Sequence, residues 1–354
     1  MTINEKGREA QTINFTERIE PHSSSALLIA PALRKVENYN VTLNMTTNKW
    51  DMENVPALRG EAFITTPLDY YDKIEFQLNS IEPFNGIAIP FSDTWEKFVK
   101  DEIKDGTTGK KLRQRGAIKD LTKSLTQDKT EPMDKIAAIS NYIKTNISTQ
   151  SGFFLANDRS NEDVIQKKTG TVGDINLLLG AMLSEAGFKV TPVYLSTRSH
   201  YALVGAGSDA APLQRDLVGD YFNHAFLCVP MERDTVWLEC TSSNGPAGYC
   251  GNFTGDRDVL ILTEKGGQVV HTPYYSEKDN RQMRLATVKI DAEGNATTEL
   301  TTLYSGLQQD VAREFAMHGN EKDVRDALIR RLHLPSFDLK SFKYIADRQR
   351  IPTV

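Results

Sequence analysis

Between residues 10 and 90 apolar and polar positions alternate. TINFTERIEP, YNVTLNMTT and YDKIEFQLNSI each place an apolar or aromatic residue at every second position, the period of a half-buried strand. An antiparallel, β-rich module is predicted. Near residue 92 the period lengthens: in SDTWEKFVKDEIKD, Asp93 and Glu96 have capping-box spacing, and Phe98, Val99 and Ile103 share one face, so a helix is expected. AIKDLTKSLTQD predicts a second helix. EPMDKIAAISNYIKTNI predicts a third, with Pro132 near its first turn and Ile136, Ile139 and Ile143 as the buried stripe.

The next stretch, TGTVGDINLLLGAMLSEAG (169–187), runs from a glycine-punctuated turn into an apolar helix. Asp174 is expected to cap that helix, and Gly170 and Gly173 to shape the turn before it. Ile175, Leu178, Leu179, Met182 and Leu183 follow the three- and four-residue steps of one buried face. Gly187 should end the helix, and KVTPVYLST reads as a strand. NHAFLCVP and DTVWLECT predict an antiparallel hairpin, and DVLILT a further strand, together expected to form a second sheet. After residue 282 a strand, a Glu-Gly-Asn turn and a strand precede two charged helices. The final SFKYIADRQRIPTV ends strand-like with no evident partner. This organisation predicts a β-rich module over 1–91, a helix-and-sheet core over 92–280, and the start of a β/α module over 281–354.

Composition narrows the functional classes. The chain has 354 residues, 39% hydrophobic and 25% charged, which is enough to bury a large core. A net charge of -5 gives no broad basic field, so nucleic acid is not an expected partner. The run Lys110, Lys111, Arg113, Arg115 lies in a Gly-Thr-rich stretch and reads as solvated surface. No run reaches the roughly 18–20 apolar residues of a membrane helix, and residues 1–25 lack an apolar signal core. Cys228, Cys240 and Cys250 leave one thiol over under any pairing, which suits free thiols, with a Cys240–Cys250 bridge as the alternative. No metal-type spacing links them to His224, and no cofactor is expected.

The order of helix MDKIAAISNYIKTNI, Gly-rich turn, helix DINLLLGAMLSEAGF, strand KVTPVYLSTR and hairpin NHAFLCV...TVWLECT resembles the core of the transglutaminase-like superfamily, over about residues 130–265. VPALRGEAFITTPLDYYDKIEFQL and DTWEKFVKDEI extend the likeness to a group of exported bacterial proteins, often from Bacteroidetes, with flanking β-rich domains. The resemblance implies an α+β, papain-like fold. Active relatives carry a Cys, His, acid triad, the Cys opening the helix, where the dipole and a nearby His favour thiolate. Carried over, the His is His224 and the acid Glu239, and the Cys position holds Ile175, which has no nucleophilic atom. The expectation is therefore a catalytically inactive module of a periplasmic or cell-envelope protein. It would bind a peptide, protein or glycan through Asp174, Ile175, Asn223, His224 and Glu239. A hydrolase using His224 and Glu239 without a thiol and a structural spacer are the alternatives; a filled cleft with His224 buried would favour the spacer. Because that group is exported and longer, the chain is expected to be a fragment.

Overall fold

The computed structural model describes residues 2–16, 40–57, 59, 80–81, 89–90, 94–150, 159–196, 222–232, 234–242, 245–332, 334, 336–347 and 352–354. They fall in two compact units, Met1–Phe63 and Ile64–Val354. In the first, β1 (Thr2–Thr16) pairs antiparallel with β2 (Asn40–Glu53), Thr2 opposite Glu53 and Thr16 opposite Asn40, with a register shift between Glu5 and Gly7. Two of the alternating segments thus form one long ribbon, and β1 reaches well before TINFT. Of the third segment, only Ser80 and Ile81 are described: β3 (Ser80–Ile81) pairs with β4 (Ile89–Pro90) in the second unit.

That unit continues with α1 (Trp95–Lys104), α2 (Thr107–Arg113), α3 (Lys119–Thr126) and α4 (Pro132–Asn146). Asp93 lies outside the described residues, and the cap of α1 is Thr94, whose hydroxyl accepts from the Lys97 N–H at 3.2 Å. Pro132 occupies the first turn of α4, where a missing N–H costs nothing, and Ile136, Ile139 and Ile143 are fully buried. Short β5 (Ser148–Thr149) and β6 (Thr169–Gly170) pair in parallel around α5 (Asn161–Lys167). Then comes α6 (Val172–Glu185). It ends in a Schellman arrangement, with Phe188 N–H to Leu183 C=O (3.0 Å), Gly187 N–H to Ser184 C=O (3.1 Å) and Gly187 at φ +92°.

The remaining strands of the core are β7 (Thr191–Leu195), β8 (His224–Pro230), β9 (Thr235–Leu238), β10 (Asp258–Thr263) and β11 (Gly266–His271), with the one-turn α7 (Gly251–Thr254) before β10. They build one antiparallel sheet in the order β11-β10-β7-β8-β9. The expected second sheet is therefore absorbed into the first: Val193 and Tyr194 of KVTPVYLST pair with Ile261 and Leu260 of DVLILT. The alternation of β8 divides the core. Leu227 and Val229 join Ile175, Leu178, Leu179, Met182 and the α4 isoleucines on one face. Phe226 and Cys228 join Val193, Leu195 and Trp237 on the other. Gly180 lets α6 lie close between its neighbours, because an added Cβ would stand 2.7 Å from Leu112 Cδ2 and 3.2 Å from Leu227 Cδ2.

After the sheet, β12 (Gln282–Ile290) and β13 (Ala296–Tyr304) form an exposed two-stranded ribbon, followed by α8 (Asp310–His318) and α9 (Glu321–Leu332). The final residues do have a partner. Val354 and Tyr304 exchange backbone hydrogen bonds at 2.9 and 3.1 Å, and Arg313 Nη2 donates to the Asp347 carbonyl at 2.6 Å.

Candidate functional site

The opening of α6 is built from Thr171 and Asp174. Thr171 is the N-cap, its hydroxyl accepting from the Asp174 N–H at 3.2 Å, while Asp174 Oδ2 accepts from the Thr171 N–H at 3.0 Å. Asp174 is thus not the cap but its reciprocal partner in the third helical position, a capping box that satisfies two N–H groups. Its other oxygen, Oδ1, meets Lys111 Nζ at 2.8 Å, and both side chains are almost wholly buried, at 2% and 0% exposure. Lys111 also donates to the Arg159 carbonyl at 2.5 Å. The basic run is therefore not a solvated surface at Lys111: Lys110, Lys111 and Arg113 lie on α2, which turns this one lysine inward to a carboxylate. Gly170 permits the close approach, since a Cβ there would stand 3.0 Å from Asp174 Cβ and 3.4 Å from Ile175 Cγ1.

Ile175 does not open the helix. Its N–H already bonds the Thr171 carbonyl at 3.0 Å, so it lies past the free N–H groups that could favour an anion, and it is fully buried in the core cluster. The first helical residue is Val172, which is half-buried. Val172 thus stands at the helix opening. Valine offers no nucleophile there either.

His224 and Glu239 are brought together on the other sheet face. His224 begins β8 and Glu239 directly follows β9, and their Nε2 and Oε1 atoms are 3.6 Å apart with side chains 2% and 8% exposed. That distance lies just beyond a hydrogen bond, and His224 Nε2 has no hydrogen-bond partner. Oε1 of Glu239 instead accepts from the Thr241 N–H (2.8 Å), the Thr241 hydroxyl and Asn176 Nδ2 (3.2 Å), and Oε2 accepts from the Ser242 N–H at 2.9 Å. Burial holds His224 below its ordinary pKa, outweighing the upward pull of Glu239. Burial pushes Glu239 up, but His224, the Thr241 hydroxyl, Lys144 and the Thr241 N–H outweigh it and leave the carboxyl below its ordinary value. The pair is a neutral imidazole facing a carboxylate. Phe253 covers the imidazole edge-on, with ring centroids 5.0 Å apart and planes at 89°, and remains 42% exposed itself. Asn223 is half-buried, its N–H donating to the Leu195 carbonyl at 3.1 Å.

Cys228 and Cys240 stand apart from this chemistry. All three cysteines are buried and no disulfide joins Cys240 to Cys250. Cys228 shares the sheet face of His224, while Cys240 joins the helical side. Burial pushes each of these two thiols up to about 12, which leaves them protonated at neutral pH. Two site residues escaped the sequence reading, Lys111 and Asn176. For Asn176 a signal existed, because it is the lone polar residue inside the apolar run INLLLGAML and is fully buried. Such a residue must find hydrogen-bond partners.

Residues 119–245 match the model of the Transglutaminase-like superfamily, and this part of the chain is a transglutaminase-like domain of mixed helix and sheet. Among solved structures, the chain is similar to a candidate protease from Parabacteroides distasonis, at 17% identity and a TM-score of 0.34, over 56% of this chain and 38% of that one. It is also similar to a candidate cysteine protease from Cytophaga hutchinsonii, at 11% identity and a TM-score of 0.29, over 85% of this chain and 80% of that one. No curated protein matches. Among the described residues no helix is long and apolar enough to cross a membrane.

Proposed function

We propose that this transglutaminase-like domain is a catalytically inactive module of a periplasmic or cell-envelope protein. One observation carries the reading: α6 opens with Val172, and neither that position nor Ile175 has a nucleophilic atom, while His224 and Glu239 persist beside each other. Cys228 and Cys240 do not replace the missing thiol, because their burial keeps them protonated and neither lies at a helix opening.

Within that reading, His224 at 1% exposure and Ile175 at 0% favour a structural role for the inherited site over an open cleft. Binding of a peptide, protein or glycan would use its rim, where Phe253 shows an aromatic face beside His224. Amide hydrolysis and acyl transfer by the purified chain test the central claim, alongside Val172→Cys and Ile175→Cys. No turnover is expected from the unmodified chain. Robust turnover that disappears in His224→Ala would sink the reading and establish a hydrolase working through the dyad. Binding at the rim is checked with immobilised peptides and glycans: retention lost in Phe253→Ala supports it, and retention of none leaves the structural role.

A further inference from the structure

The hairpin that carries His224 and Glu239 stops pairing before it reaches them. Its ladder runs from Pro230 opposite Thr235 to Leu227 opposite Leu238. Continuing that register would set Ala225 opposite Cys240, so that their backbone groups would be the next to bond. The side-chain amide of Asn176 occupies that place instead. Its Nδ2 donates to the Ala225 carbonyl at 2.8 Å, and its Oδ1 accepts from the Cys240 N–H at 2.8 Å. An amide from the helix therefore stands where a direct N–H···O bond of about 2.9 Å would close the strands. The same Nδ2 reaches Glu239 Oε1 at 3.2 Å. With the Thr241 N–H and hydroxyl also on Oε1, three donors already crowd an oxygen with two lone pairs. The imidazole facing that oxygen would be a fourth donor to it.

We propose that Asn176 is a positioning residue, wedging open the end of the hairpin and occupying Glu239 so that His224 and Glu239 stay close without a direct hydrogen bond. Removing the wedge lets Ala225 and Cys240 pair and takes away one of the three donors that compete with His224 Nε2–H for Oε1. The imidazolium then gains a charge-assisted bond that it lacks now. Lys144 also acts on Glu239 and remains in place in every variant below. The inference rests on reading His224 and Glu239 as an inherited dyad, but not on what the module binds or whether it turns over.

The test follows the titration of His224 by NMR in the full chain with isotopically labelled histidine, its signal assigned through His224→Gln. In Asn176→Ala and the smaller change Asn176→Ser, the midpoint should rise by at least about half a pH unit. A midpoint that stays put in a folded variant overturns the proposal. Ile139→Val is the control for simple loosening, because Ile139 is fully buried in the same core cluster as α6 and loses only a methyl group. It should lower the melting temperature and leave the His224 midpoint alone, and an equal shift there also overturns the proposal. Should neither Asn176 variant fold, the unmodified chain still decides: the Asn176 side-chain amide protons must be protected from solvent exchange, and free exchange refutes the wedge. Amide turnover in the assay of the preceding section would remove the inactive-module reading while leaving this result standing.

Discussion

The five-stranded sheet sets a histidine beside carboxylates at two places, with opposite results. At the start of β8, His224 faces Glu239 in a buried site and is held below its ordinary pKa by burial. At the end of β11, His271 is clamped by Asp258 on Nδ1 at 2.9 Å and Asp256 on Nε2 at 3.0 Å, half-exposed. The hydrogen bond to Asp258 leads in raising its pKa, burial opposes it, and Asp256 adds to the rise. Both pairs span the same sequence distance, Glu239 lying 15 residues from His224 and Asp256 15 from His271. Spacing therefore does not decide what a histidine and an acid do together. The number of hydrogen bonds completed and the water available decide it.

The contrast between buried and exposed polar groups predicts the largest effects at the ion pair under α6. Lys111→Ala leaves Asp174 buried without its cation and should cost about 3–5 kcal/mol. Lys167→Ala breaks a pair of the same chemistry on the surface of α5, where Lys167 Nζ and Asp163 Oδ1 are 2.7 Å apart with the lysine 60% exposed. It should cost at most about 0.5 kcal/mol. Urea unfolding of both variants checks this, and equal losses would mean that burial is not what distinguishes the sites.

A smaller effect is expected where the hydrogen bonds themselves are removed. Glu239→Ala strands the Thr241 and Ser242 N–H groups and one contact of Asn176, and should cost roughly 2–3 kcal/mol. Asp258→Ala removes one of two exposed partners of His271, at about 0.5 kcal/mol or less. A cost at Asp258 matching that at Glu239 would break the comparison.

The fold was largely legible because its signals are local. The isoleucine stripe of α4, the β-branched strands and Gly187 each act within a few residues of themselves. Adjacency of His224 and Glu239 could be expected from a hairpin, and the hairpin formed. What escaped depends on contacts between distant segments. Lys111 reads as surface until α2 is laid against α6, 63 residues from its partner Asp174 (174 - 111). The resemblance sets the nucleophile's place at Ile175, directly after Gly173 and Asp174. The first residue of the helix depends on Thr171 closing a capping box with Asp174, a choice between two polar residues that only side-chain geometry shows. The single sheet likewise depends on the pairing of β7 with β10, across the whole β8–β9 hairpin.

The finest test lies in the pH dependence of stability. His224 has a folded pKa below its unfolded value near 6.5, so the unfolded chain takes up the proton first. Its contribution is complete above about pH 6.5 and is lost as pH falls toward the folded value, with a slope of at most about 1.4 kcal/mol per pH unit. Glu239, lowered as well, gives a second loss of the same sign below about pH 4.3. His271 has the reverse sign: its contribution is complete below about pH 6.5 and disappears as pH rises through its raised folded pKa. Being half-exposed, it should amount to a few tenths of a kcal/mol, about what surface pairs contribute. Unfolding free energies from pH 4 to about 8 should then have a shallower acid-side slope in His224→Gln and lose a weaker alkaline-side contribution in His271→Gln. If His224→Gln leaves the acid-side slope intact, the imidazole is not buried in its neutral form, and the distinction between the two histidines collapses at its source.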